Sequence, residues 1–261
     1  MLISIVTVNF NDALGLSKTI ETIKNQLYKK IEFIIIDGLS NDDSISIINS
    51  NLKYIDKWIS EKDEGIYDAM NKGIALSTGD FLIFLNSGDT FYSNDVLRSF
   101  KKKVMDFEKV YFGRAQICAS ENKNWFFPSY KFDESNINNW ISKNLPNHQA
   151  MFFPKIFYKN HEYSLKYKIA SDADYKFKAI NYCGISFVDI KVCNFYLGGV
   201  SSSFNSFKKI RLIAKESKMI NSKFKSKREA YIRVFNIYIK FFISSFGNTF
   251  FSFILNFYRK K

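Results

Sequence analysis

The chain has 261 residues, 46% hydrophobic and 18% aromatic, and a formal net charge of +13. So much apolar material excludes a disordered polypeptide, and the length suits one large α/β domain with or without an appendage. Three cysteines, Cys118, Cys183 and Cys193, odd in number and without metal-ligand spacing, exclude a disulfide framework and point to a reducing compartment.

The opening MLISIVTVNFND has no basic residue ahead of its apolar run and no small-residue cleavage site. It therefore reads as a first strand (2–8), not a signal peptide, and a cytoplasmic location is expected. Asp12 is placed to cap a helix over 13–26. IEFIIID (31–37) reads as a second strand, Ser40 to Asp42 offer caps for a helix over 43–50, and YIDKWIS (54–60) reads as a third strand. Gly65 opens a helix through IYDAMNKGIAL, with Ile66, Ala69, Met70, Gly73 and Ile74 on its core face and Tyr67, Asp68, Asn71 and Lys72 on another. FLIFLN (81–86) is a fourth strand, apolar without alternation as in a strand covered on both faces, and it runs into the polar turn Asn86-Ser87-Gly88-Asp89.

Strand alternating with helix predicts an α/β fold with a mainly parallel sheet, and such sheets bind ligands beyond the carboxyl ends of their strands. Asn9, Asn11, Asp37, Asp63, Glu64, Asn86 and Asp89 all follow a strand's last apolar residues and are expected along that edge. Farther on, 110–118, 150–154 and 185–190 read as strands and 171–181 as a helix. One compact unit is expected over 1–205, followed by a tail over 206–261. Nearly all of the excess positive charge lies in that tail, where fourteen Lys or Arg face only Glu216 and Glu229.

Each motif admits a structural reading beside a functional one. Asn-Ser-Gly-Asp makes turns on its own account, and Asp68 compensates a helix dipole. Ser171 and Asp174 in IASDADY fit a Ser-x-x-Asp capping box, yet a carboxylate at a helix start is also placed to accept a proton from a bound hydroxyl. His148, in PNHQA, has no partner at metal-ligand spacing. No G-x-G-x-x-G follows the first strand and no G-x-x-x-x-G-K-[ST] occurs, which excludes dinucleotide and P-loop sites. The GGVSSSF segment (198–204) is either a connection or a loop whose backbone donors meet phosphate.

In order and spacing, SIVTVNFND, IIIDGLSNDDS, SEKDEGIYDAMNKGIALSTGD, LIFLNSGD, NHQ and IASDADY resemble the family-2 glycosyltransferases of the GT-A fold, in particular those that build bacterial O-antigen, capsule or colanic-acid-type polysaccharides. The resemblance covers about residues 2–203. It implies that Thr7, Asn9 and Asp37 hold the base and ribose of a nucleotide, usually uridine, and that Asp68 and Asn71 face the nucleotide sugar. It implies further that Asn86 to Asp89 stands for the D-x-D-type element, with Asp89 the ligand of Mn²⁺ or Mg²⁺, that Asp172 is the general base, and that His148 and Gln149 contact acceptor or donor sugar. Asn86 and Gly88 stand where many relatives carry Asp, so Asp89 is the element's sole carboxylate, and metal affinity without the nucleotide is expected to be weak.

Two rivals share these features: a nucleotidyltransferase, which cuts between phosphates, and a non-catalytic nucleotide-sugar-binding scaffold. The tail combines cations with Ile210, Ile213, Ala214 and Ile220 near helical spacing, and 234–258 is rich in Phe but interrupted, with Gly247-Asn248 a break. Two interfacial helices on the inner face of the cytoplasmic membrane are expected, close to a lipid-linked saccharide acceptor, and no nucleic acid. The alternatives are packing on the catalytic domain or a homodimer interface.

Overall fold

The computed structural model describes residues 1–120, 123–197 and 207–239. The chain divides into two units, Met1–Leu197 and Gly198–Lys261. In the first, strands β1 (Ile3–Asn9), β2 (Ile31–Asp37), β3 (Lys57–Ser60) and β4 (Phe81–Phe84) alternate with helices α1 (Ala13–Lys24), α2 (Ser44–Ser50) and α3 (Ile66–Leu76). A two-residue β5 (Thr90–Phe91) and helix α4 (Val96–Lys103) lead to the long β6 (Val110–Ser120), paired with β7 (Lys123–Phe127). Helix α5 (Ile137–Lys143), β8 (Met151–Pro154), α6 (Lys155–Tyr158), α7 (Ser171–Cys183) and β9 (Ile185–Tyr196) complete the unit.

The strands form one sheet in the order β3-β2-β1-β4-β8-β6-β9-β5, with β7 beside β6. β1 to β4 are parallel, as their alternation with helices predicts, and β8 enters antiparallel beside β4. All four residues of β4 are buried, because apolar clusters cover both faces of the sheet: Ile3, Ile5, Phe33 and Phe81 belong to one, Val6, Val8, Ile34 and Phe84 to the other.

Two local expectations are corrected. On α3, Tyr67 is buried and Ile66 is 40% exposed. The Tyr67 ring stacks on Tyr163, 5.6 Å between centroids, and its hydroxyl donates to the Ile169 carbonyl, so a segment a hundred residues away decides which face of the first turn is covered. The capping box at α7 does not form. Ala170 is the N-cap, Ser171 already lies in the helix with its hydroxyl donating to the Ser164 carbonyl (2.9 Å), and Asp174 forms an ion pair with Lys178 at 2.8 Å.

In the second unit, helix α8 (Phe207–Phe224) is followed by a helix over residues 227–239. The two meet antiparallel, with Phe207 and Tyr238 ring centroids 6.4 Å apart and Lys218 Nζ 3.1 Å from the Tyr231 hydroxyl. Ile210, Ala214 and Ile220 are buried, as their spacing predicts, and Ile213 is only half-buried. The GGVSSSF segment and the Gly247-Asn248 break lie outside the described residues. No helix among the described residues is long and apolar enough to cross a membrane.

Candidate active site

The parallel strands end in register, Asn9 beside Asp37 and Asp37 beside Ser60, and this row forms the first part of the site. Asp37 is fully buried. Its carboxylate accepts from Asn9 Nδ2 (2.8 Å), the Ser40 N–H (2.9 Å), the Ser40 hydroxyl and the Ser60 hydroxyl (2.7 Å). Burial alone would push its pKa up, and these donors more than offset that and hold it below the ordinary carboxylate range.

Asn9 Nδ2 also donates to Ser44 Oγ (2.9 Å), while Asn9 Oδ1 is buried without a partner. Thr7 is fully buried and donates to the Leu85 carbonyl at 2.7 Å, tying β1 to the end of β4. It braces the site and does not line it.

Sequence reasoning missed Phe10. Its ring is 65% exposed beside Gly38, where a Cβ would lie 2.7 Å from Asp63 Oδ2 and 3.2 Å from Phe10 Cδ2. Only glycine lets both side chains close over that position. Asn11 and Leu39 carry left-handed backbone, with φ of 51° and 62°. Asn tolerates that region, but for Leu it costs on the order of 1–3 kcal/mol, a strain typical of loops shaped for a ligand.

The turn after β4 forms the second part. Gly88 has φ 89°, and its N–H donates to Thr19 Oγ1 (3.1 Å), whose hydroxyl donates to the Asp89 carbonyl (2.7 Å). Asp12 accepts from the Gly15 N–H at the start of α1, as expected of a cap, and also from the Ser87 hydroxyl (3.0 Å). The Asp89 side chain is 6% exposed and, among the described residues, accepts one hydrogen bond, from the Tyr196 N–H at 3.2 Å. No basic side chain pairs with it among the described residues. Burial, with the nearby charge of Asp12, pushes its pKa up to about 7.

Asn86 Oδ1 in the same turn is buried without a partner. A carboxylate and an amide oxygen, both short of donors, are the hard oxygen ligands that Mg²⁺ or Mn²⁺ takes, so these residues fit a divalent cation completed by phosphate and water. No group of three or more His, Cys, Asp or Glu among the described residues forms a cage for a metal on its own.

The third part gathers where the second half of the chain crosses the end of β4. The His148 ring stacks on Phe84, 5.0 Å between centroids, and its Nε2 shares a hydrogen bond with the Tyr163 hydroxyl. Burial first, then the charge of Lys176, push its pKa down to about 3. His148 is therefore neutral at physiological pH and, at 6% exposure, acts as a packed strut. Gln149 is 5% exposed, its N–H donating to Asn147 Oδ1 at 3.0 Å.

Asp172 keeps 35% of its side chain exposed and pairs with Lys176 at 3.0 Å, and the Lys176 ammonium also donates to the Pro146 carbonyl (3.2 Å). Burial would raise the Asp172 pKa, but Lys176 and the His148 ring draw it below the ordinary value. Asp174 is 1% exposed and turned to Lys178. Of the two carboxylates, Asp172 is the accessible one. Lys176 was missed in the sequence, although a D-x-x-x-K spacing on a helix was its signal.

Asp68 and Asn71 are engaged within the protein. Asp68 accepts from the Glu64 N–H (3.1 Å) and lies 3.4 Å from Lys72 Nζ. Asn71 clamps Tyr163, donating to its carbonyl (3.0 Å) and accepting from its N–H (2.8 Å). In this structure Asn71 positions the loop that carries Tyr163, with one amide N–H and one oxygen lone pair engaged there.

The glycosyl transferase family 2 model matches residues 4–161. An uncharacterised glycosyltransferase of Mycobacterium tuberculosis is 32% identical over 207 residues, 77% of either chain. A PGL/p-HBAD biosynthesis glycosyltransferase of Mycobacterium bovis is 27% identical over 210 residues, 78% of this chain and 77% of its own. Among solved structures, residues 1–349 of S. aureus TarS in complex with UDP-GlcNAc superpose with a TM-score of 0.66 at 13% identity, covering 94% of this chain and 73% of that one. The mannosyltransferase PcManGT of Pyrobaculum calidifontis, with GDP-Man and Mn²⁺, superposes with a TM-score of 0.61 at 14% identity, covering 89% and 69%. At such identities the structures speak for the fold, which is GT-A, while the matched model and the 32% identical relative carry the rest: the chain belongs to glycosyl transferase family 2 and is a glycosyltransferase.

Proposed function

We propose that the protein transfers a sugar from a nucleoside diphosphate sugar, UDP-linked hexose or N-acetylhexosamine, to a saccharide hydroxyl with inversion at the anomeric carbon. The observation that carries this reading is the turn at 86–89, where a buried carboxylate with no basic side chain paired to it among the described residues and a partnerless amide oxygen sit at the sheet's carboxyl edge. Asp37 and Asn9 form the floor beneath the ribose and base, with the Phe10 ring offering a flat apolar surface beside them. Asp89 and Asn86 would hold a divalent cation, which when bound would supply Lewis-acid stabilisation of charge on the diphosphate.

Asp172, kept ionised by Lys176, takes the acceptor's hydroxyl proton. The acceptor oxygen bonds to the anomeric carbon on one face as the bond to the diphosphate breaks on the other, its electron pair leaving with the nucleotide. Neutral His148, clamped between Phe84 and Tyr163, and Asn71 through Tyr163 hold the loop that presents Asp172.

The acceptor is proposed to be lipid-linked, within bacterial surface polysaccharide synthesis, and the second unit to lie on the inner leaflet of the cytoplasmic membrane. Tyr231 (59%), Ile232 (49%), Phe235 (65%) and Ile239 (39%) are exposed on one side of the 227–239 helix, with Lys227, Arg228 and Arg233 exposed around them. An apolar stripe ringed by cations suits an anionic bilayer surface.

A panel of nucleotide sugars, each with and without Mn²⁺ or Mg²⁺, tests the donor reading by thermal protection, since ligands that bind only the folded state raise its stability. Protection by a UDP-sugar, followed by UDP release on adding acceptor, is expected. Release of pyrophosphate, or full turnover in excess EDTA, overturns it. Sedimentation with vesicles containing phosphatidylglycerol tests the membrane reading, with Phe235→Glu and Ile239→Glu together expected to leave most of the protein in the supernatant. Full retention of that double variant on the vesicles refutes the assignment.

A further inference from the structure

The turn after β4 holds a single carboxylate of its own, Asp89, since Asn86 and Gly88 carry no charge. The fold brings a second one to it from α1. Asp12, the N-cap of that helix, accepts from the Ser87 hydroxyl through Oδ2 (3.0 Å) and from the Gly15 N–H through Oδ1 (3.1 Å). The Ser87 hydroxyl also lies 3.2 Å from the Asp12 carbonyl, so the helix start and the turn are joined through both the side chain and the backbone of Asp12.

Two glycines make room for this approach. A Cβ at Gly15 would lie 2.0 Å from Asp12 Oδ2, so any other residue there would push the carboxylate from its place beside the turn. Gly15 is buried inside a helix, where glycine is the poorest residue after proline, and the close approach of Asp12 gives it a reason to be there. On the other side, a Cβ at Gly88 would stand 3.5 Å from the same oxygen. The Asp12 carboxylate therefore borders the space into which a side chain at 88 would project.

Capping does not use up this carboxylate. An ionised carboxylate has about four acceptor positions, and among the described residues Asp12 fills two, neither of them with a basic side chain. Its charge also acts on Asp89, as one cause of that group's raised pKa. Two like charges thus face one turn, and Asn86 Oδ1 is enclosed in the same turn without a partner. A divalent cation relieves the repulsion and completes the amide oxygen, and Mg²⁺ or Mn²⁺ commonly takes one or two carboxylates with phosphate oxygens and water.

We infer that Asp12 is the second carboxylate of the cation site, supplied by the start of α1 in place of the one that the turn itself lacks. This rests on the glycosyl-transfer reading above, in which Asp89 and Asn86 hold a cation for the donor diphosphate. The site uses the charge of Asp12, whereas the helix uses only its oxygen. Ser or Asn would serve the helix equally well.

Asparagine separates the two roles, because it caps a helix as well as Asp does and accepts from Ser87 but carries no charge. Mn²⁺ is titrated into the full chain with saturating UDP, and free Mn²⁺ is read from its EPR signal. Asp12→Asn is expected to weaken Mn²⁺ binding at least tenfold, since ligand charge sets affinity at such sites, with the metal-free melting temperature unchanged. Asp12→Ser, a second neutral cap, is expected to do the same. Asn86→Asp added to Asp12→Asn is expected to restore most of the affinity, a rescue that a capping role alone does not produce. Unchanged affinity in both neutral variants, with Asp89→Asn abolishing binding, overturns this inference and leaves the donor reading standing. Affinity that falls together with the melting temperature and is not rescued by Asn86→Asp makes Asp12 a cap only, and also overturns it. Binding of Mn²⁺ and UDP that no change at 86 or 89 alters removes the donor reading itself, and no Mn²⁺ binding in the presence of UDP removes both.

Discussion

Two buried carboxylates stand at the carboxyl edge of the same sheet and are treated in opposite ways. Among the described residues Asp37 accepts from four donors, and Asp89, at 6% exposure, accepts from one. A carboxylate completed by the protein is part of the frame, ionised and fixed whether or not ligand is present. One left short of donors is unfavourable by itself and becomes favourable when something cationic arrives. On the proposed reading the contrast separates the rigid floor of the donor pocket from the position that a ligand completes, and it predicts that removing the two charges has opposite effects on stability.

The largest expected effect is at the incomplete carboxylate. Asp89→Asn is expected to lower transfer by about a thousandfold, the scale of losing a major electrostatic group, yet to raise the metal-free protein's stability at pH 8 by about 1–3 kcal/mol because a buried charge is gone. Urea unfolding in EDTA beside a UDP-release assay measures both, and a destabilised Asp89→Asn protein would break the contrast. Next comes Asp172, intermediate in kind, part exposed and held by one lysine. Asp172→Asn should cut transfer by roughly a hundredfold with UDP-sugar protection kept. If Asp174→Asn does this in a folded protein and Asp172→Asn does not, the base is the other carboxylate.

Asp37→Ala should lower stability by about 2–4 kcal/mol with or without metal, since it strands several buried donors. The same urea titration reads it, and a neutral outcome would mean those donors find other partners. The smallest effect is the pH dependence. Asp89 has its folded pKa raised to about 7, above its unfolded value of about 4, so metal-free protein should lose stability as pH rises from about 4 to about 7. Saturating Mn²⁺ and UDP should remove that decline.

Glu32, at the opposite edge of the sheet, sharpens the comparison. It accepts from Ser4, Lys57 and Thr78, which outweigh burial and lower its pKa to about 2. Its contribution is fully present above about pH 4.5 and lost as pH falls toward 2. Thermal midpoints across pH 2–8 distinguish the two signs.

The sheet's parallel half was legible because apolar runs without alternation and helices with a 3.6-residue period leave few other arrangements. IEFIIID matches β2 residue for residue. Asp37 and Asp89 were legible as candidates because the first closes a strand and the second closes the polar turn after one. That one is saturated and the other starved was not legible, since Ser60 and Tyr196 arrive from 23 and 107 residues away. Asn71 and His148 were legible as polar residues in a telling pattern, but their partner, Tyr163, was not. β5, β7 and α4 went unread because each is too short or too irregular for its period to register.

The hydrogen bond from the Tyr196 N–H to Asp89 spans 107 residues, and it has a meaning for assembly. β1, β2, β3 and β4 pair with one another inside the first 84 residues, so this part of the sheet can form before β8 and β9 have been made. β5 waits for β9, because Thr90 and Phe91 pair with Asn194 and Cys193. A nascent chain therefore completes the Asp37 row long before the Asp89 carboxylate is anchored.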